Sequence, residues 1–180
     1  MNQKTQNVNS NLKPKKRNRK DLHPKFREHL GMILKGKRME ENLSLNDIEL
    51  MSDMSKAMSW SVEMGKAKGI DYYIEYANTV CLNLFSDQQT NAKPKYELPE
   101  KNKNRIFLTA RIRELKDEEG LFESDTTVQD IITLLEEKKG IQKAKGLSTK
   151  IAGILRNWIE EDGILTKRKK GNINIYRIRR

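Results

Sequence analysis

The last seventeen residues, ILTKRKKGNINIYRIRR, hold Lys167, Arg168, Lys169, Lys170, Arg177, Arg179 and Arg180 and not one acid. Ammonium and guanidinium groups at that density neutralise successive phosphates of a polyanion, and each contact releases a condensed counterion. Just upstream, LRNWIEEDGIL sets Arg156 beside Asn157. A guanidinium matches the acceptor edge of guanine, and a carboxamide matches the mixed edge of adenine. No comparable set serves catalysis. His23 and His29 are the only histidines, six residues apart and so on different faces of a helix, and no glycine-rich phosphate loop accompanies them. The lone cysteine, Cys81, excludes an internal disulfide and a cysteine-based zinc site. Neither an enzyme nor a metal or cofactor site is expected.

Positioning these groups takes folded elements, and composition limits which. A chain of 180 residues holds one ordinary domain or two small ones. With 34% charged, 36% hydrophobic and 6% aromatic residues, it suits compact, mainly helical cores under a solvated surface rather than a large sheet sandwich. A formal net charge of +11 makes a polyanion the expected partner. No apolar run nears the roughly 20 residues of a membrane span, and the N-terminus lacks a signal-peptide core. Neither an interfacial amphipathic arm nor a lipidation signal is visible. Cytoplasmic localisation without membrane attachment is expected.

Charge divides the chain into four. Residues 1–20 carry seven basic residues and no acid among Asn, Gln and Ser, so residues 1–24 are expected to form a disordered basic arm. Residues 25–87 show regular apolar spacing, and from Asp21 to Asp87 eleven acids outnumber eight bases. Residues 88–104, with Pro94 and Pro99 among polar neighbours, read as a linker. Residues 105–180 form a second unit with seventeen basic and twelve acidic residues.

In the first unit Phe26, Leu30, Ile33 and Leu34 recur at helical spacing, and Asn42 offers a stop. Ser44 is the next N-cap, with Asp47 three residues on and Ile48 and Met51 sharing a face; Ser55 caps a third helix. A longer helix followed by two short ones across a tight turn is the helix-turn-helix layout. Cys81 reads as a small buried residue near a helix end.

The stretch RMEENLSLNDIELMSDMSKAMSWSVEMGKAKGIDYYIEYANTVCLNLF, within residues 27–86, resembles the Cro/C1 (xenobiotic-response-element type) helix-turn-helix family. That family's helix-1 arginine falls on Arg38, its Leu-Ser opening of helix 2 on Leu43 and Ser44, and its closing Glu-x-Gly-Lys on Glu63, Gly65 and Lys66. Its later Ala and Leu positions fall on Ala77, Val80, Leu82 and Leu84. The chain departs from the pattern at Glu49, Asp53, Ser59 and Cys81, where the family has a small residue, a turn glycine, an apolar residue and a late glycine. The resemblance implies that Lys56, Ala57 and Ser61 face base edges, with Ser55 near a phosphate. Lys56 suits guanine, Ser61 several bases and Ala57 a thymine methyl. The acidic balance of the unit suits dimerisation or a protein partner instead, and Met54, Met58, Trp60 and Met64 fit a core or an interface.

In the second unit Ile106, Leu108, Ile112 and Leu115 mark a helix closed by Gly120. A second helix is capped by Asp125, Thr126 or Thr127, carries Val128, Ile131, Ile132 and Leu135, and stops at Gly140. A third starts at Ser148, aligns Ile151, Ile154, Leu155 and Trp158, and stops at Gly163. The period then changes to alternation around a Lys170-Gly171-Asn172 turn. Three helices and a basic hairpin over residues 105–180 resemble the winged-helix family. The resemblance implies that the helix from Ser148 to Trp158 enters the major groove with Thr149, Lys150, Gly153, Arg156 and Asn157 outward, preceded by Lys143 and Lys145. Lys167 to Lys170 and Arg177 to Arg180 would then clamp flanking phosphates.

These readings predict a mainly α protein, an N-terminal helix-turn-helix bundle plus a C-terminal winged helix with a small β-hairpin. The expected function is a sequence-specific transcriptional regulator, a repressor that occupies a promoter on double-stranded DNA. A homodimer would read two half-sites, with Trp60, Tyr72, Tyr73 and Phe85 as candidate contacts. The alternative is a non-catalytic DNA- or RNA-binding adaptor subunit of a replication, recombination or phage-defence assembly, whose first unit binds protein.

Overall fold

A computed structural model of the chain describes residues 23–84 and 92–179. The described residues are mainly helical. In chain order they form α1 (Pro24–Glu40), α2 (Leu45–Met51), α3 (Lys56–Glu63), α4 (Ile70–Thr79), α5 (Glu100–Glu118), α6 (Val128–Lys139) and α7 (Leu147–Glu160). A two-stranded antiparallel hairpin of β1 (Leu165–Lys170) and β2 (Ile173–Ile178) follows. The expected basic arm lies outside the described residues as far as residue 22, and so does Phe85.

Local chemistry sets the element ends. Ser44 and Thr127 each form a reciprocal capping box, with Asp47 and Asp130, which satisfies backbone donors that a helix start leaves open. Ser55 caps α3 through the Met58 amide at 3.2 Å. Helix α7 begins at Leu147, one residue before the expected start at Ser148, with Gly146 as its N-cap and the Leu147 side chain buried in the second core. Gly65 is needed twice over. Its φ is +66°, and a Cβ there would stand 2.6 Å from the Glu28 backbone nitrogen.

Two apolar clusters result. The first joins Leu34, Ile48, Val62, Tyr73, Tyr76, Ala77 and Val80 from α1 to α4 and its C-cap. The second joins Ile112, Leu115, Phe122, Ile131, Leu135, Ile151, Leu155 and Trp158, with the Phe122 and Trp158 rings edge to face at 6.1 Å. An isolated antiparallel bridge from Thr126 to Tyr176 adds a second pairing to the hairpin.

Several expectations need correction. Phe26 and Ile33 are exposed, since the α1 face that packs carries Gly31, Leu34 and Arg38. Tyr73 is not a surface contact: it is buried, and its hydroxyl donates to the Ala67 carbonyl at 3.1 Å. Cys81 is exposed: it stands past the end of α4 at a φ of +55°, between the buried Val80 and Leu82, which packs against the first core.

The stretch read as a linker is partly structured. Pro99 is the N-cap of α5, and Lys95 and Tyr96 donate their amides to the Met51 carbonyl at 3.0 and 3.1 Å. Asp53, at the α2–α3 turn, accepts from the Tyr96 hydroxyl at 2.8 Å and pairs with Lys95. Leu98 and Ile106 pack against the first core, while Leu108, Ile112 and Leu115 of the same helix belong to the second. Helix α5 is therefore shared by both units.

Candidate nucleic-acid interface

The buried stripe of α7 is Leu147, Ile151, Ile154, Leu155 and Trp158, a spacing that turns the intervening residues outward. Thr149, Lys150, Gly153 and Arg156 are exposed on that outer face, and Asn157 is half-buried at its edge. Lys143 and Lys145 are exposed in the loop before α7. On β1 only Leu165 is buried, and Thr166 to Lys170 all face solvent. The hairpin closes through Gly171, at a φ of +61°, and pairs Lys167 with Tyr176 and Lys169 with Asn174. Arg168 is held by Asp125, and the half-buried Arg177 donates to the Glu123 carbonyl at 3.2 Å. Arg179 is exposed. The chain thus brings a helix face with Lys150 and Arg156, whose one exposed acid is Glu160 at its C-terminal end, and a cationic strand into one folded unit.

Sequence reasoning missed a second wall. The first turns of α5 run beside α7, and between them lies a cavity of about 390 Å³ with Lys101 and Arg105 on one side and Lys150 and Arg156 on the other. The spacing of Lys101 and Arg105 would have placed them on one face, had Pro99 been recognised as a helix start.

In the first unit Lys56 opens α3 and is exposed together with Ala57, while Ser61 is half-buried. Behind them lies a buried ion pair. Arg38, with no exposed surface, donates to the Glu63 carboxylate at 2.6 and 3.3 Å and to the Leu43 carbonyl at 2.9 Å. Burial opposes the charge on Arg38, but the hydrogen bond to Glu63 together with the neighbouring negative charges of Glu63 and Asp162 outweighs it and holds the guanidinium well above its ordinary range. Burial, with the Glu63 charge beside it, likewise keeps the Tyr76 phenol protonated, and its hydroxyl donates to Glu63 at 2.5 Å.

The acidic run after α7, read from sequence as the exit of a recognition helix, docks on the first unit. Asp162 accepts from Arg38 at 2.9 Å. Glu161 accepts the Leu45 amide at 3.0 Å and pairs with Lys56 at 2.6 Å. Lys35 donates to the carbonyls of Glu161 and Asp162 at 2.9 and 3.2 Å, placing a cation at the C-terminal end of α7. Lys56, the candidate base reader, is therefore engaged by a carboxylate of the second unit. The run Glu160-Glu161-Asp162 gave no distinctive signal for this dock, since the same unit holds other acidic runs at Asp117-Glu118-Glu119 and Glu136-Glu137.

Burial pushes the Asp162 carboxyl above the ordinary carboxylate range, and Arg38 only partly opposes that. A carboxyl raised in the folded state above its unfolded value of 3.8 adds stability that is present below that value and is lost as pH rises through the folded one. Asp162→Asn removes this dependence. The unaltered chain is expected to lose stability relative to the variant from about pH 4 upward, read by urea denaturation of both at acidic and neutral pH.

Among the described residues, no group of three or more His, Cys, Asp or Glu is arranged to hold a metal. No helix among them is long and apolar enough to cross a membrane. Comparison with protein-family models, curated proteins and solved structures found no match.

Proposed function

We propose that the protein is a sequence-specific regulator that binds double-stranded DNA through α7 and the basic hairpin, and that it represses by occupying a promoter. The observation that carries this reading is the outward face of α7, which presents Thr149, Lys150, Arg156 and Asn157, with its one exposed acid, Glu160, at the C-terminal end, within the same unit as the exposed Lys167–Lys170 strand. The order of α5, the Thr126 bridge, α6, α7 and a hairpin is that of a winged helix, and α2, a tight turn and α3 follow a helix-turn-helix order. With α7 in the major groove, Arg156 and Asn157 read bases and the hairpin holds phosphates. A symmetric dimer then reads two half-sites about one helical turn apart, and the exposed Trp60 and Tyr72 suit its interface.

One observation favours the second reading, an adaptor whose first unit engages protein rather than bases. Lys56 is already paired with Glu161. The deciding experiment is selection of the full chain against a random-duplex library at physiological salt. A motif preferred by roughly a thousandfold or more over random DNA supports the regulator. Retention without enrichment overturns it in favour of the adaptor.

A further inference from the structure

We propose that the trough between the first turns of α5 and the outer face of α7 receives a sugar-phosphate strand of duplex DNA, and that Gly153 is bare so that the strand can lie directly against the helix. This rests on the reading of α7 as the DNA-contacting helix and adds a second element to it.

Three observations carry the assignment. The trough, about 390 Å³, is lined by Lys101, Asn104 and Arg105 from α5 and by Lys150, Gly153 and Arg156 from α7, and among the described residues no carboxylate lines it. Its α5 wall is fixed in place. Arg105 pairs with the buried Asp47, and Asn102 donates to the same carboxylate at 2.8 Å. Lastly, Gly153 lies in the interior of the fourteen-residue α7, where glycine weakens a helix relative to alanine.

Nothing within the protein accounts for that glycine. A Cβ at Gly153 would meet no atom within 4 Å, and its φ is not left-handed. Gly31 is the contrasting case, because a Cβ there would stand 2.4 Å from the Glu63 carbonyl oxygen. A helical glycine that neither packing nor backbone conformation requires, on the floor of a cationic trough, suits close approach by an external backbone. Lys101 and Lys150, on opposite walls, are suited to phosphate oxygens, beside the base-reading Arg156 and Asn157. Lys101 thereby becomes a backbone contact flanking the base-reading residues of α7, on a wall that the Arg105–Asp47 pair holds in place.

The test compares Gly153→Leu, Lys101→Ala, Arg156→Ala and, as a control on α1 away from the trough, Gly36→Ala, whose Cβ also meets nothing within 4 Å. Each full-length variant is titrated with the selected duplex across a salt series, and its thermal midpoint is measured. Gly153→Leu is expected to raise Tm by a few degrees while weakening duplex binding about tenfold or more. Lys101→Ala should flatten the log–log salt slope by about 0.9 without changing sequence preference. Gly36→Ala should raise Tm and leave binding unchanged. If Gly153→Leu lowers Tm, Gly153→Ala repeats the comparison with a smaller group. Unchanged binding by the Gly153 variants, with Arg156→Ala still weakening it, overturns the trough and leaves the proposed function standing. No effect of Arg156→Ala either overturns the role of α7 and the trough with it. Equally tight, equally Gly153-dependent binding of a single strand overturns the duplex assignment.

Discussion

Arg38→Ala is expected to destabilise the first unit by about 3–5 kcal/mol, the cost of removing one partner from a buried ion pair. Small units have about 5–15 kcal/mol in total, so this one substitution brings the unit close to unfolding. The reason is geometric. Arg38 is fully buried and satisfies Glu63 twice, Leu43 once and Asp162 once. With alanine in its place, Glu63, itself only 5% exposed, retains the Tyr76 hydroxyl and no cation. Urea denaturation followed by circular dichroism reads the loss. Replacing the whole network, as in Arg38→Met with Glu63→Leu, Tyr76→Phe and Asp162→Asn, should recover most of it, because apolar groups of similar volume avoid the desolvation cost and no buried carboxylate or phenol is left without its partner. A single-variant loss under about 1 kcal/mol would mean that solvent reaches Glu63 and that the pair is structurally minor.

Replacing Lys167, Arg168, Lys169 and Lys170 together with alanine is expected to weaken binding to every duplex by on the order of 10²–10³-fold and to make the salt slope shallower by roughly 3 to 4. All four side chains are exposed on β1, so folding should be spared. Arg168 alone has a partner to lose, the exposed Asp125. A uniform loss across sequences marks phosphate contact, and a change in the selected motif would instead mean that the hairpin reads bases. Unchanged affinity would remove the hairpin from the interface. Anisotropy titrations over a salt series with selected and scrambled duplexes distinguish these results.

Much of this architecture was legible because it rests on short-range chemistry. The caps at Ser44, Ser55 and Thr127, the αL stop at Gly140 and the Gly171 turn each depend on neighbouring residues alone. The stripe of Ile151, Ile154, Leu155 and Trp158 fixes the outward set on α7 by period. What escaped depends on distant partners. Pro99 reads as a linker residue until Leu98 and Ile106 find the first core, and it then serves as a helix start. Glu161 and Asp162 read as the solvated end of a helix, and only the position of Lys35, Arg38 and Lys56 makes them a dock. Cys81 was misplaced because its burial was judged from residue type, whereas its left-handed φ sets it outside the helix.

One rod, α5, is embedded in both cores, with Ile106 against the first and Ile112 and Leu115 within the second. The chain consequently has no seam at this junction where its halves could be exchanged as independent cassettes. A cut ahead of Glu100 would strip the first half of Ile106 and of the cation that neutralises Asp47, and would leave the second half with a bare apolar flank. Two units that look like separable building blocks share one helix, and neither keeps all of its packing without it.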